Sequence, residues 1–267
     1  MDAQFEFEAL RRETTSWWYI ARRKLFREAV GQALRDKREA RVLDLGCAAE
    51  LAFPEVPHIR SLGVHPALAV VAFQQIQGFG DLMCTSLEEL GLMSNSFDVI
   101  VAGDILQTVG DDVLALREMR RVLKDGAMLC LTVPAYPSLW GEKDEASGHR
   151  RRYTATELRR KLNNAGFEVT RVSYLVACGF FPALIERIGK NIFTKSIDRN
   201  RHSLARANSS AMVLLLDIER QFIRYINLPF GTRVVCWARK PALVAERVTV
   251  PVWERQWAAR PLPQGSS

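Results

Sequence analysis

Short apolar runs alternate with amphipathic stretches along most of the chain. Seven of these runs are rich in β-branched and aliphatic residues and are typical of strands. They lie at 41–45, 59–64, 82–84, 97–102, 128–133, 167–174 and 232–238. Apolar residues recur at helical spacing between several of them. Strands that alternate with helices predict an α/β fold, with a mostly parallel sheet that is covered on both faces.

Helix signals accompany this strand pattern. Residues 16–34 place apolar side chains at an approximate helical period and predict an N-terminal helix. Asp111 and Asp112 are N-cap candidates for a helix through Val122. Thr154 and Glu157 have the spacing of a capping box, and we expect that helix to end at residue 166, a glycine.

The same patterns divide the chain into segments. We expect an N-terminal helical segment at 1–40, a domain at 41–240 and an extended tail at 241–267, which is rich in proline, arginine and tryptophan. The last two strand runs are separated by a helical insertion at 178–230. It carries two apolar stripes, at 180–193 and 212–226, which are typical of a core, an acceptor pocket or a subunit interface.

Composition narrows the class of protein. The 267 residues are 48% hydrophobic and 25% charged, as in ordinary globular proteins. The longest apolar run is too short to span a bilayer and the first residues lack signal-peptide order, so we expect a cytoplasmic protein without a membrane span. The five cysteines and four histidines are dispersed, which predicts no metal site. The net charge of +7 comes mainly from predicted helix faces, which favours solvated surfaces over a nucleic-acid partner.

The first strand run ends in a small-residue turn, VLDLGC at 42–47. Ligands of open α/β sheets bind where the first strand meets the next helix, and glycine lets the backbone approach them closely. This stretch resembles the first motif of the class I S-adenosylmethionine (SAM) dependent methyltransferases. The resemblance continues through SFDVI at 96–100, REMRRVLKDG at 117–126 and TVPAYPSLW at 132–140. WWYIARR at 17–23, GHRRRY at 148–153 and LPFGT at 228–232 resemble a bacterial subgroup of these enzymes.

The resemblance covers roughly residues 13–240 and implies a Rossmann-like methyltransferase sheet of seven strands, with an antiparallel last strand. It also implies a SAM site at the carboxyl ends of the first four strands. Asp81 is expected to be the acidic position after the third strand, near the adenine. The residues implied to contact the cofactor are Asp44, Gly46, Cys47, Ala48, His65, Asp81, Leu82 and Gly103.

The first turn departs from the family pattern. Ala48 and Glu50 stand where the family has glycines. Pro54 and Pro57 interrupt the helix expected after the turn, at about 3 kcal/mol for each proline inside a helix. We therefore expect no regular helix through residues 54–57.

Two further departures lie after the second and fourth strands. His65 stands where the family has a carboxylate that accepts hydrogen bonds from both ribose hydroxyls, and a neutral imidazole offers at most one acceptor. Gln107 and Thr108 stand where the subgroup has a Glu-His pair. Because most of these changes fall on the cofactor side, we expect weak SAM binding.

The acceptor side carries the remaining candidates. His149 and Tyr136 are the acid/base candidates that the motifs place there. Arg150, Arg151 and Arg152 have two interpretations. They clamp an anionic group of an acceptor, or they pair with the neighbouring acidic residues Glu142, Asp144 and Glu145.

Three functions remain open on this basis. The degraded loop favours a catalytically impaired subunit that stabilises or completes an active methyltransferase, as a homo- or hetero-oligomer joined through the insertion. The alternative is an active SAM-dependent methyltransferase that acts on a small apolar or anionic acceptor. A third possibility is a repurposed pocket that works without SAM.

Overall fold

A twisted sheet lies at the centre of the computed structural model, which describes residues 16–46, 59–180 and 209–242. The seven strands of this sheet match the seven predicted runs, so the predicted fold class is confirmed. The strands are β1 (Ala40–Leu45), β2 (Ile59–His65), β3 (Asp81–Cys84), β4 (Phe97–Gly103), β5 (Leu123–Pro134), β6 (Glu168–Leu175) and β7 (Arg233–Arg239).

The spatial order of the strands is β3-β2-β1-β4-β5-β7-β6. The pairs from β3 to β5 are parallel, whereas β7 runs antiparallel to both β5 and β6. The antiparallel last strand predicted from the sequence is thus confirmed. Because β7 is reversed, its first residue, Arg233, pairs with Pro134 and Leu175 at the carboxyl ends of β5 and β6.

β5 begins earlier than the sequence predicts. The apolar pattern indicates a start at Met128, but the strand begins at Leu123, directly after a helix. Leu123 pairs with Phe97 and the register then shifts before Met128 pairs with Val99. The polar residues at the shift hide the first part of the strand from the hydrophobic pattern.

Six α-helices accompany the sheet within the described ranges: α1 (Trp17–Ala33), α2 (Leu68–Ile76), α3 (Asp112–Val122), α4 (Glu142–Ala146), α5 (Ala155–Asn164) and α6 (Ser209–Phe222). The predicted helix starts are confirmed. The Asp111 carboxylate accepts hydrogen bonds from the N–H groups of Val113 and Leu114. The Thr154 hydroxyl accepts one from the N–H of Glu157.

Both faces of the sheet are covered, as predicted. Apolar residues of α3 and α5, such as Met119 and Leu158, belong to the core on one face. Apolar residues of α1 and α6, such as Phe26 and Leu216, belong to the core on the other. Residues of β4 are buried along its whole length, as expected for a central strand.

Some predictions lie outside the described residues. These are the turn residues Cys47, Ala48 and Glu50, the prolines at 54 and 57, most of the first apolar stripe and the tail from 243 onward. In the described part of the chain, none of the helices is long and apolar enough to cross a membrane.

Candidate functional site

The carboxyl ends of β1 and β4 meet at two glycines of the predicted cofactor site. Gly46 has φ +104°, and its N–H donates a hydrogen bond to the carbonyl of Val64 at 2.9 Å. A Cβ atom at Gly46 would lie 3.0 Å from the carbonyl oxygen of Gly103 and 3.3 Å from Cβ of Ile105. The turn therefore requires glycine at 46, as the sequence predicts. Asp44 lies two residues earlier, buried within β1.

His65 is the last residue of β2, at the same edge of the sheet. The N–H of Ala67 donates a hydrogen bond to His65 Nδ1 at 2.9 Å. Since an amide N–H can only donate, Nδ1 carries no proton. Burial lowers the pKa of His65 to about 4, so the ring is neutral at pH 7. The remaining ring nitrogen, Nε2, therefore carries the proton and is a hydrogen-bond donor.

Asp81 does not lie where the sequence places it. It is the first residue of β3 and pairs with Leu62, whereas the carboxyl end of β3 is Cys84, opposite His65. Three residues of strand separate Asp81 from that end, or about 10 Å. The prediction that Asp81 follows the third strand is wrong: the family resemblance gave that role to Asp81, but the strand predicted at 82–84 forms as β3 and Asp81 is its first residue. Leu82 is likewise inside the strand, paired with Gly63.

Asp104 is the centre of a buried charge cluster that the sequence patterns do not predict. Asp104 directly follows β4 with φ +48°, an uncommon conformation for a residue other than glycine. Its Oδ2 accepts hydrogen bonds from Trp18 Nε1 at 2.6 Å and from Arg22 Nη1 at 2.7 Å. Arg233 Nη1 lies 3.6 Å from its Oδ1.

Charge complementarity keeps Asp104 ionised. Burial alone would raise the pKa of this carboxyl, but Arg233 and Arg22 together hold it below its ordinary value. A sequence signal did exist, since Arg22 falls at a buried position of a predicted amphipathic helix. A charged residue on the apolar face of a helix requires a partner, although the pattern does not say which.

Asp144 is the centre of a second network, after β5. This carboxylate is 2% exposed and accepts from Gly141 N, Arg152 Nε and Arg152 Nη2 at 2.8–2.9 Å. His149 Nδ1 lies 2.8 Å from its Oδ1. On the other side of the ring, His149 Nε2 lies 3.3 Å from the amide nitrogen of Gln107. The candidate His149 thus has a polar partner at each ring nitrogen.

Two of the three arginines at 150–152 form ion pairs with acidic residues. Arg152 forms the bidentate pair with Asp144, and Arg151 lies 3.1 Å from Asp112. Arg151 also donates to the carbonyls of Val109 and Gly110. Arg150 is exposed. The described contacts favour the ion-pair interpretation for two of the three arginines, with Asp112 as a partner that the sequence did not indicate.

Tyr136 forms part of an aromatic wall beside this network. Its ring stacks on Tyr174 with centroids 4.9 Å apart and an interplanar angle of 4°. Phe180 lies 5.3 Å from Tyr136 and 5.5 Å from Phe230. Burial and the neighbouring Tyr174 raise the pKa of Tyr136, so at neutral pH it is a phenol that donates hydrogen bonds and not a base.

Within the ranges that the structure describes, no group of three or more His, Cys, Asp or Glu residues is placed to hold a metal ion.

A sequence family described as a methyltransferase domain matches residues 17–172, more than half of the chain. No curated protein sequence matches. Solved structures with the same fold include the [4+2]-cyclase SpnF, with a TM-score of 0.51 and 21% identity over 80% of this chain and 79% of that one.

Two further structural neighbours have the same fold. One is the complex of the Trm112 methyltransferase activator with a candidate methyltransferase from Haloferax volcanii, with a TM-score of 0.51 and 18% identity over 79% of this chain and 88% of that chain. The other is phosphoethanolamine N-methyltransferase 2 from Haemonchus contortus in complex with SAM. It has a TM-score of 0.50 and 20% identity over 79% of this chain and 51% of that chain.

Proposed function

The chain belongs to the class I SAM-dependent methyltransferase family, and we propose that it is a catalytically impaired member that stabilises or completes an active methyltransferase. The observation that carries this proposal is the chemistry of His65 at the carboxyl end of β2. The proposed place of action is the cytoplasm, where scattered thiols stay reduced.

At the position that the family resemblance gives it, His65 offers a hydrogen-bond donor where the family has an acceptor. A carboxylate accepts from two ribose hydroxyls at once, whereas His65 offers one N–H donor because Ala67 occupies its only acceptor. Protonation does not supply charge at neutral pH, since the pKa of His65 is lowered to about 4 by burial. A ribose at this point loses a bidentate, charge-assisted contact.

Of the described residues at the carboxyl end of β3 and directly after β2, none supplies the missing carboxylate. The residues at the carboxyl end of β3 are Cys84, Thr85 and Ser86, and those after His65 are Pro66 and Ala67. Asp81 is directed to the opposite end of β3 by the strand register. Hydrogen bonds to charged groups contribute about 1.5–3 kcal/mol, so the loss corresponds to roughly 10- to 150-fold weaker binding.

Calorimetric titration with SAM and S-adenosylhomocysteine tests this proposal. We expect the wild-type protein to bind weakly or not at all, and His65→Asp to bind at least about tenfold more tightly. Asp81→Asn is the matched control. It changes a carboxylate of β3, but at the end of the strand that lies away from the proposed cofactor site. Micromolar affinity in the wild type, or no gain in His65→Asp, would contradict the proposal.

The outer face of α6 is the proposed contact with the partner. Its inner side places Leu216 and Ile223 in the core. Beside them Asp217 pairs with Lys24 of α1 and Arg220 with Glu28. Its outer face, defined here as the exposed large apolar residues of α6 and the two that follow it, consists of Leu214, Leu215, Ile218, Phe222, Tyr225 and Ile226.

The exposed apolar residues on this outer face favour a protein partner. Phe222 is 55% exposed and Ile226 is 59% exposed, and contiguous apolar surface of this kind marks an interaction site. We propose an active methyltransferase as the occupant, because a subunit with a defective cofactor site contributes to methyl transfer only through a competent one. A neighbour of the same fold is found in complex with a methyltransferase activator, which is consistent with such an arrangement.

An active enzyme is the second candidate. Gly46 packs closely against Gly103, as the backbone turn that contacts SAM in this family requires. The aromatic wall at Tyr136 suits a small apolar acceptor. Release of S-adenosylhomocysteine by the wild-type protein alone would favour this candidate.

A pocket that works without SAM is the third candidate function. The [4+2]-cyclase SpnF, which has the same fold, is compatible with it.

A further inference from the structure

Gln107, His149 and Asp144 form a continuous hydrogen-bonded chain behind the acceptor side of the site. We propose that Gln107 is a positioning residue that sets the hydrogen-bonding roles of the His149 ring, with a proton on Nδ1 and the Nε2 lone pair occupied. His149 is then unable to exchange a proton with an acceptor molecule. The inference extends the proposed loss of catalysis from the cofactor to the acceptor, and it rests on that proposal only for its functional meaning.

At one end of this hydrogen-bonded series, Asp144 determines whether Nδ1 of His149 carries a proton. Asp144 already accepts three hydrogen bonds, from Gly141 N and from two nitrogens of Arg152. Burial would raise the pKa of this carboxyl, but Arg152 and His149 hold it below its ordinary value, so Asp144 is a carboxylate. A carboxylate only accepts, and Nδ1 of His149 therefore carries a proton.

At the other end, Gln107 determines whether Nε2 of His149 donates or accepts a hydrogen bond. The side chain of Gln107 is fully buried, and its amide nitrogen donates to the main-chain carbonyl of Asp104 at 2.6 Å. Exchange of the amide nitrogen and oxygen would place two oxygens against each other at that distance. The same NH2 group therefore faces Nε2 of His149 at 3.3 Å, and because it can only donate, Nε2 must accept.

This assignment leaves the side-chain oxygen of Gln107 without a donor. Within the described residues, Gln107 Oε1 is buried and accepts no hydrogen bond. This is unfavourable, since buried acceptors are normally satisfied, and the 2.6 Å contact of the amide nitrogen with the Asp104 carbonyl sets the orientation in spite of it. A glutamate in place of Gln107 would present an acceptor to Nε2 and would draw a second proton onto the ring. The amide donor is what holds Nε2 of His149 in the role of an acceptor.

The His149 side chain is 14% exposed, so its ring is reachable only in part. With Nδ1 donating to Asp144 and Nε2 accepting from Gln107, both ring nitrogens are occupied. A general base needs an accessible lone pair within hydrogen-bond reach of its substrate. His149 thus orients the segment after β5, and the acid/base role suggested by the sequence is removed by its neighbours.

Nitrogen-15 NMR of the four histidine side chains at pH 7 tests the proposal without any SAM. His149→Gln assigns the relevant signals. We expect the wild-type His149 ring to be protonated on Nδ1 alone. In Gln107→Met, which keeps the shape and removes the donor, the Nε2 resonance should move in the direction expected for a lost hydrogen bond. In Gln107→Glu the ring should become an imidazolium.

Thr108→Val is the matched control, since the Thr108 hydroxyl donates to the carbonyl of Ile105 and not to His149. It should leave the His149 resonances unchanged. A proton on Nε2 in the wild type, or an unchanged Nε2 resonance in Gln107→Met, would overturn the proposal. If Gln107→Glu fails to fold, Gln107→Met decides the question. SAM affinity does not enter either result, so this proposal and the cofactor proposal fail separately.

Discussion

Arg22 donates a hydrogen bond to the carboxylate of Asp104 at 2.7 Å, although 82 positions separate the two residues in the sequence. The Arg22 side chain is 2% exposed and the Asp104 side chain 12%. The pair connects α1 to the carboxyl end of β4, beside the glycine turn. The N-terminal helix is therefore an integral part of the candidate site.

Removal of the Asp104 charge should destabilise the protein. Asp104→Asn keeps the size of the side chain and tolerates the positive φ, but it leaves Arg22 and Arg233 without their carboxylate. Breaking a buried ion pair from one side costs about 3 kcal/mol, and urea denaturation should detect a loss of that size. Asp81→Asn, which changes an exposed carboxylate, should leave the free energy of unfolding within about 0.5 kcal/mol.

His65 should make stability depend on pH above the range in which carboxylates titrate. Its pKa falls from 6.5 to about 4 on folding, so between these values the unfolded chain binds more protons than the folded one. Stability should be highest above pH 6.5 and should decrease as the pH falls toward 4, by about 1–3 kcal/mol after allowance for partial exposure. Denaturation curves at several pH values measure this.

His65→Asn is the control for this pH effect. The asparagine side chain does not titrate and retains an acceptor for the N–H of Ala67. The decrease between pH 6.5 and 4 should become smaller in this variant. An equal decrease in both proteins would assign the effect to other groups.

Two glycine substitutions should act in opposite directions. Gly46→Ala brings a methyl group to 3.0 Å from the Gly103 carbonyl at a φ of +104°, and we expect a loss of about 1–3 kcal/mol. Gly31→Ala meets no atom within 4 Å and lies inside α1, where alanine is preferred by about 0.5–1 kcal/mol. Thermal melting should give a lower midpoint for the first variant and a higher one for the second. Equal midpoints would contradict the close approach of β1 and β4.

Charges on the outer face of α6 should prevent association. Purified without the proposed methyltransferase partner, the wild-type protein should pair its own exposed faces and form an oligomer. Phe222→Glu combined with Ile226→Glu should shift it to the mass of one chain in size-exclusion chromatography with light scattering. Met93→Glu is the control, because Met93 is 80% exposed on a loop away from α6. A monomeric wild type would remove the main physical support for self-association through this face.

The second apolar stripe of the sequence is divided between two environments in the fold. Leu216 is 2% exposed, whereas Leu215, next to it, is 43% exposed. The sequence indicated an apolar helix and left open whether it formed a core or an interface. Packing of α6 against α1 decided this, because only one side of the helix reaches the sheet.

Most of the fold was determined by the sequence itself. Apolar runs of strand length and caps such as Asp111 and Thr154 are local signals, since their energetics involve neighbours in the chain. The requirement for glycine at 46 was local as well.

Only the tertiary structure decided the contents of the candidate site. The apolar run at 82–84 located β3, but the family resemblance placed Asp81 after this strand, whereas Asp81 pairs with Leu62 at its start. The partners of Arg22 and the proton position on His149 come from Asp104, Gln107 and Asp144. Charge and hydrogen-bond partners of this kind are chosen by three-dimensional proximity, and hydrophobic periodicity carries no information about which distant residues will meet.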